Sequence, residues 1–514
     1  MADQRVAFIC FDGAESMLVR RGIDEGWLPS LARLVDSGRW VALTPVASGF
    51  YNTSWASTVT GHDVFAHQAI FDRQLEPGSY RILDVGASSI LRPPFWRYLS
   101  DAGVRSTIAS IYSAPVLSAF NGTQVQGWGS IDPYFAKFAE LSFDPPGIEQ
   151  LLAQAVGKRD ALYRIRPPRS TDDFRRYRDR MLHSIDQQTR GLGALVTETD
   201  WDFFIASYSE PHQAGHLLWH FSDPAHPGHD PDSPDDLKNA LREIYRAVDS
   251  GIGRLMERFP PNCQVFVLTP HGMAPNYIRD PSERLLERGG WLVRRSGVSN
   301  GGVRKHVVRT AWSLGRRVTP VRLRLAAQGR LGHDGVRAEM PLAHVDWQRT
   351  RAFSLPSDMT AYIRINLRGR EPEGLVAPGR EYAQLCDELA ETFAALTHAE
   401  SGLPAVERVV RYDELFGHPA DGSMPDLCVV WSDAEPLSRL RLPGREPIQP
   451  PADDPRTGQH RHLGFLIGPG ADIESDAEQS TANLLDVAPT ALALLGVEKP
   501  PSLPGRPIEP FVPS

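Results

Sequence analysis

Three short apolar runs each lead into a side chain able to bind a metal ion, and this repetition constrains the fold more than any other feature of the chain. Val6-Ala7-Phe8-Ile9-Cys10-Phe11 runs into Asp12-Gly13, and Phe203-Phe204-Ile205-Ala206 precedes Ser209-Glu210-Pro211-His212-Gln213-Ala214-Gly215-His216. Cys263-Gln264-Val265-Phe266-Val267-Leu268-Thr269 is followed by Pro270-His271-Gly272-Met273. An apolar run, a tight polar turn and a helix start is how an α/β sheet presents ligands at the carboxyl ends of its strands. His212 and His216, four residues apart, share one helical face, so one ion can take a nitrogen from each. A further element, Thr457-Gly458-Gln459-His460-Arg461-His462-Leu463-Gly464 before Phe465-Leu466-Ile467, offers His460 or His462 to close the site. Taken singly, Asp12 or His271 is an ordinary turn residue, and His220, His226 and His229 make a polar surface loop an alternative for the His pair. Recurrence at four separated strand ends is what structure alone does not explain.

Residues 1 to about 275 alternate apolar runs with helical patterns, such as the stripe Leu237, Leu241, Ile244, Tyr245, Val248, Ile252 and Leu255. The fold class expected is therefore α/β, a mainly parallel sheet sandwiched by helices. Residues 1–275 and 451–514 would form this core, and 276–450, which carries no expected ligand, an inserted cap. Within the cap, Ala361–Leu367 alternates like an edge strand, Tyr382–Leu396 is an amphipathic helix, and about 425–432 returns to the core sheet. Arg370 and Glu371 are expected to pair on the surface, although guanidinium forks also suit phosphate.

In this order the pieces resemble the alkaline phosphatase superfamily, and within it the type I phosphodiesterase/nucleotide pyrophosphatase branch. Phe11-Asp12-Gly13 is similar to the family's first metal Asp, and Trp55-Ala56-Ser57-Thr58-Val59-Thr60-Gly61 to the stretch behind its nucleophile. Glu210–His216 resembles Glu-Pro-Asp-x-x-Gly-His, Pro270–Met273 resembles Asp-His-Gly-Met, and Gly458–Arg461 resembles the last His ligand. Leu484–Thr490, Leu495-Gly496 and Gly505-Arg506-Pro507 are like the closing helix and tail. The resemblance implies an alkaline-phosphatase-like fold and a two-metal phosphoester hydrolase.

Departures from that pattern fall on the metal site. His212 stands where the family has Asp, Pro270 replaces the Asp of the Asp-His pair, and Tyr51 falls at the nucleophile position. The implied ligands are Asp12, His212, His216, His271 and His460, with His212, His216 and His460 forming an all-imidazole cluster. Three neutral imidazoles and an open position are the ligand set of a catalytic zinc, which lowers the pKa of bound water to about 7. One zinc is expected rather than two, and manganese or iron can use the same nitrogens with Asp12. The alternative keeps covalent catalysis, with Tyr51, Thr53, Ser54 or Ser48 as acceptor.

The expected activity is hydrolysis of a phosphoester, phosphodiester or pyrophosphate bond in a small anionic, nucleotide-like substrate. A group transferase and a catalytically dead binding protein remain as alternatives. The chain has 514 residues and a formal net charge of −8, yet Trp291–Arg330 is basic throughout with no acidic residue. That segment is a solvated helix or loop, or a grip for anions. It lacks interleaved aromatics, so nucleic acid is not an expected partner. No cationic start followed by an apolar segment is visible, no membrane span is expected, and the four scattered cysteines suggest neither a disulfide framework nor a zinc site. A cytoplasmic location follows as the expectation, while the oligomeric state is left open.

Overall fold

The computed structural model describes residues 4–46, 53–128, 141–157, 168–276, 280–295, 342–448 except 343, 359, 433 and 436, 456–470, and 480–512 except 510. The basic segment singled out above lies mostly outside them, and of it Arg294 pairs with Glu283 and Glu287.

A nine-stranded sheet forms the centre of the larger part. From one edge its strands run Thr481–Asn483, Arg39–Thr44, Gly464–Gly468, Cys263–Thr269, Arg5–Phe11, Phe203–Tyr208, Ser106–Ala109, Gly122–Gln126 and Ser142–Asp144. The five strands from Cys263–Thr269 to Gly122–Gln126 pair in parallel. Why Arg5–Phe11 sits in the middle is visible in its side chains. Ala7, Ile9 and Phe11 enter one apolar cluster, while Val6, Phe8 and Cys10 enter another on the opposite face. A run of six apolar residues, Val6 to Phe11, satisfies both faces only when both are covered. Helices Pro29–Asp36, Thr171–Glu198, Glu210–Ser222 and Ala240–Met256 contribute to the first cluster, and Ser54–Thr60, Trp96–Asp101 and Val487–Leu494 to the second. The expected stripe thus falls on Ala240–Met256, preceded by the short helix Asp235–Lys238.

The segment expected to be a cap builds a second sheet. It is antiparallel throughout, in the order Ala352–Leu355, Thr360–Ile365, Leu427–Trp431, Val406–Arg411, with helix Arg380–Ala394 packed on it. Two expectations are corrected here. Leu427–Trp431 does not return to the large sheet but pairs with Thr360–Ile365 and Val406–Arg411, because its wholly apolar side chains are buried within the second sheet as fully as a parallel sheet would bury them. Thr360–Ile365 is interior rather than an edge: all six residues are buried, and the Arg364 that gave an alternating pattern is enclosed with Glu371 as its partner. The third apolar cluster also recruits Val64, Ile70, Leu75 and Ile82 from the amino-terminal half. Tyr80 stacks on Trp347 with ring centroids 3.5 Å apart, pinning that stretch to the second sheet.

Asp280 lies where the chain passes into this second sheet. It accepts from the Ser282 backbone N–H at 3.0 Å and the Ser282 hydroxyl at 2.7 Å, with the Ser357 hydroxyl at 3.5 Å. Burial pushes its carboxyl up to about 6 from 3.8. The folded protein therefore holds this proton more tightly than the unfolded chain, so the stabilising contribution is complete below 3.8 and lost as pH rises through 6. Asp280→Asn is expected to raise stability by about 2 kcal/mol at about pH 8 and to leave it unchanged at about pH 3.5, measured by urea unfolding at both values. Destabilisation at the higher pH would contradict this.

No helix among the described residues is long and apolar enough to cross a membrane. All four cysteines are free, and Cys10, Cys386 and Cys428 are buried.

Candidate metal centre

Sheet order alone brings the strand-end residues together. Arg5–Phe11 lies between Cys263–Thr269 and Phe203–Tyr208, so Asp12 leaves the sheet with His271 on one side and the helix carrying His212 and His216 on the other. The Asp12 N–H donates to the Tyr208 carbonyl at 3.0 Å, keeping the two exits adjacent. His460 arrives from the carboxyl-terminal region on strand Gly458–Arg461, which pairs antiparallel with Gly272–Pro275 and sets His460 opposite Met273. Glu15 fixes this junction: its carboxylate accepts from the Met273 N–H at 3.1 Å and from Arg461 at 3.3 Å.

The three imidazoles of the cluster are oriented alike. His212 Nδ1 lies 2.9 Å from Asp12 Oδ2, His216 Nδ1 2.8 Å from the Gly458 carbonyl, and His460 Nδ1 2.5 Å from Asp358 Oδ2. Carbonyl and carboxylate oxygens only accept, so each Nδ1 carries the proton and each Nε2 presents a lone pair. Those lone pairs face one another: His212 Nε2 is 3.0 Å from His216 Nε2 and 2.7 Å from His460 Nε2. Three acceptors at such separations repel unless a cation lies between them. Tetrahedral zinc with nitrogen bonds of about 2.0–2.1 Å sets its ligands roughly 3.3 Å apart, so a small outward adjustment admits the ion.

Electrostatics favour the neutral, ligating form. Burial, reinforced by His460 and His212, holds the His216 imidazole well below its ordinary range. Burial lowers His460 to about 4 against the opposing pull of Asp358. Burial raises the Asp12 carboxyl, but His212 and His271 beside it more than reverse this and keep it ionised.

Asp12, His212 and His271 make a second group of potential ligand atoms. Its carboxylate is already engaged: Oδ1 accepts from Trp55 Nε1 at 2.8 Å and lies 3.4 Å from His271 Nε2, while Oδ2 faces His212. Pro270 has no ligand atom to add. Thr53 is the N-cap of helix Ser54–Thr60, and among the described residues its buried Oγ1 has no hydrogen-bond partner. Ser54 is buried in the first turn of that helix. Tyr51 and Ser48 lie outside the described residues. His462 is buried beside the cluster strand, and among the described residues it belongs to neither ligand group. Sequence reasoning missed Asp358 and the Trp55 contact.

Gly13 is required by close approach. It sits at φ +67°, and a Cβ there would meet His212 Cα at 2.8 Å and Cβ at 2.9 Å. Gly13→Ala is expected to cost about 1–2 kcal/mol of stability and to weaken metal binding at least tenfold, read by thermal melting and metal titration.

The sequence pattern of the family described as type I phosphodiesterase/nucleotide pyrophosphatase matches residues 6–370. The chain belongs to that family. The match takes in Asp12, His212, His216, His271 and Asp358 of this phosphodiesterase-family chain and stops before His460. No curated protein matches it. Among solved structures, phosphonoacetate hydrolase from Sinorhizobium meliloti 1021 in complex with phosphonoacetate is 14% identical, with 94% of each chain covered and a TM-score of 0.52. The same enzyme with phosphonoformate gives 14%, 94% of each chain and 0.51. Murine ectonucleotide pyrophosphatase/phosphodiesterase 5 is 13% identical over 97% of this chain and 96% of its own, with a TM-score of 0.48. The likeness to phosphonoacetate hydrolase shows the shared alkaline-phosphatase-like α/β fold.

Proposed function

We propose that this phosphodiesterase-family chain is a metal-dependent hydrolase of a phosphoester, phosphodiester or pyrophosphate bond in a small anionic, nucleotide-like substrate. His212, His216 and His460 hold one divalent cation, zinc by the chemistry of the donor set. The observation that carries this reading is the convergence of three Nε2 lone pairs, each fixed by an oxygen acceptor on the far side of its ring. A bound divalent cation supplies Lewis acidity and activates water near neutral pH.

The chain's own residues divide the remaining work. Asp12 holds the tautomer of His212 and balances charge from a buried position, as carboxylate partners of ligating histidines do. Trp55 occupies the Asp12 oxygen that a second ion would need, and Pro270 withholds a ligand, which supports one ion rather than two. With one ion, water attacks phosphorus: the bond from water oxygen to phosphorus forms, the bond to the leaving oxygen breaks, and a proton passes to the leaving group. The four free cysteines support a reducing compartment such as the cytoplasm.

Metal-to-protein ratios of purified chain, with turnover of aryl phosphodiester, monoester and sulfate ester before and after chelation, test this. The expected result is one metal per chain and a phosphodiesterase activity that chelation abolishes and zinc restores. Tyr51→Phe, Thr53→Val and Ser54→Ala should each retain at least about a tenth of kcat, a loss of no more than about 1.4 kcal/mol. Abolished turnover with metal retained in any of these would replace water attack by a covalent intermediate. A chain that binds no metal even after reloading would be a binding protein, and the reading would be wrong.

A further inference from the structure

Two of the three oxygens that orient the cluster come from segments of the large sheet and its loops. Asp12 follows the central strand, and Gly458 opens the strand that carries His460 itself. The third comes from elsewhere. Asp358 belongs to the loop joining Ala352–Leu355 and Thr360–Ile365, two paired strands of the second sheet. Its Oδ2 meets His460 Nδ1 at 2.5 Å, and its Oδ1 meets Arg456 Nη1 at 3.1 Å. Both members of the Asp358–His460 pair are largely enclosed, with side-chain exposures of 11% and 16%. The neighbouring Ser357 hydroxyl lies 3.5 Å from Asp280, so the same loop touches the boundary segment as well.

We propose that Asp358 is a positioning residue of the metal centre, and that through it metal binding and docking of the second sheet onto the large one are coupled. The inference rests on reading the His cluster as a metal centre. An imidazole whose Nδ1–H has no acceptor turns over freely and presents either nitrogen to the ion. An enclosed carboxylate at Nδ1 fixes the ring with Nε2 inward, and loss of such partners typically weakens metal binding 10–100-fold. Arg456 keeps the carboxylate aimed, since it occupies the oxygen not used by His460. Binding equilibria that share a contact are linked reciprocally. Whatever factor the docked loop adds to metal affinity, bound metal adds to docking of the loop.

The test uses the full chain. Zinc affinity is measured by competition with a chromophoric chelator for wild type, D358A and D358N, and amide hydrogen exchange is followed over residues 352–365 with and without zinc. D358A is expected to bind zinc about 10–100-fold more weakly. D358N, which keeps a carbonyl oxygen to accept from Nδ1–H, should recover most of that loss, a rescue that a merely structural salt bridge to Arg456 would not give. Zinc should slow exchange over 352–365 in wild type and not in D358A. Wild-type affinity in D358A, or exchange in wild type indifferent to zinc, overturns the proposal. Should D358A fail to fold, as near-ultraviolet circular dichroism would reveal, the wild-type exchange experiment still decides. A wild-type chain that binds no zinc refutes the metal centre itself, whereas equal zinc binding by wild type and D358A refutes only the role of Asp358.

Discussion

His212→Ala is expected to lose its bound metal and to lower kcat/KM by roughly a thousandfold or more, about 4 kcal/mol of transition-state stabilisation. The reason is that His212 is central to the cluster: its Nε2 faces both other Nε2 atoms, and its Nδ1 faces Asp12. His212→Asp gives a more discriminating result. A carboxylate there lies against Asp12, and two buried carboxylates in contact are stable only with a proton or a further cation between them. The variant is therefore expected to bind zinc more weakly, to favour manganese, and to approach two metals per chain as manganese is raised. Elemental analysis at matched protein concentration and steady-state kinetics read both outcomes. Full activity with metal retained in His212→Ala would show that His216 and His460 find their third ligand elsewhere.

The largest effect on stability is expected in the second sheet, at Asp426. This buried carboxylate accepts from Arg370 Nη1 and Nη2 at 2.8 and 2.7 Å, from the Tyr382 hydroxyl at 2.9 Å, and from the Ile365 and Ala420 N–H groups at 2.7 and 3.2 Å. Arg364 and Arg370 both donate to Glu371, so two guanidinium groups and two carboxylates balance in one enclosed network. Asp426→Ala leaves two enclosed cations against one anion and takes the acceptor from two backbone N–H groups and the Tyr382 hydroxyl, a change that costs about 3–5 kcal/mol. Denaturant unfolding should show this loss, with limited proteolysis cutting the second sheet before the large one. Replacement costing less than about 1 kcal/mol would mean that water relieves the stranded charges.

The same network shows where sequence reasoning stopped. Arg370 and Glu371 do pair, but inside the second sheet rather than on its surface, because Asp426, more than fifty positions later in the chain, reaches them. No local pattern announces such a partner, and Arg364 likewise made an interior strand look like an edge. The large sheet was far more legible. Its central strands carry long apolar runs, Val6 to Phe11, Phe203 to Ala206 and Val265 to Leu268, and buried parallel strands need no partner-specific information to be recognised. The positions of Asp12, His212, His216 and His271 followed from strand ends alone, and His460 was one of two histidines that its segment offered. Asp358 escaped because a lone acid in a short loop carries no periodic signature. Trp55 escaped for a different reason: an indole beside small residues suggests packing, and its N–H finds Asp12 only once the helix Ser54–Thr60 is set on the sheet.

The place of Gly464–Gly468 in the large sheet has a consequence for biosynthesis. This strand lies between Cys263–Thr269 and Arg39–Thr44, and the outer neighbour of Arg39–Thr44 is Thr481–Asn483. A ribosome therefore releases Arg39–Thr44 without either of its pairing partners, and on the order of tens of seconds of elongation pass before they emerge. Until then one hydrogen-bonding edge of Cys263–Thr269 stays open and His460 has not been made, so the nascent polypeptide offers an aggregation-prone border and an incomplete ion cage together. Chaperone demand and metal acquisition should both concentrate at the stage when residues 456–483 emerge, and a product terminated before residue 456 should have neither a closed sheet nor a metal.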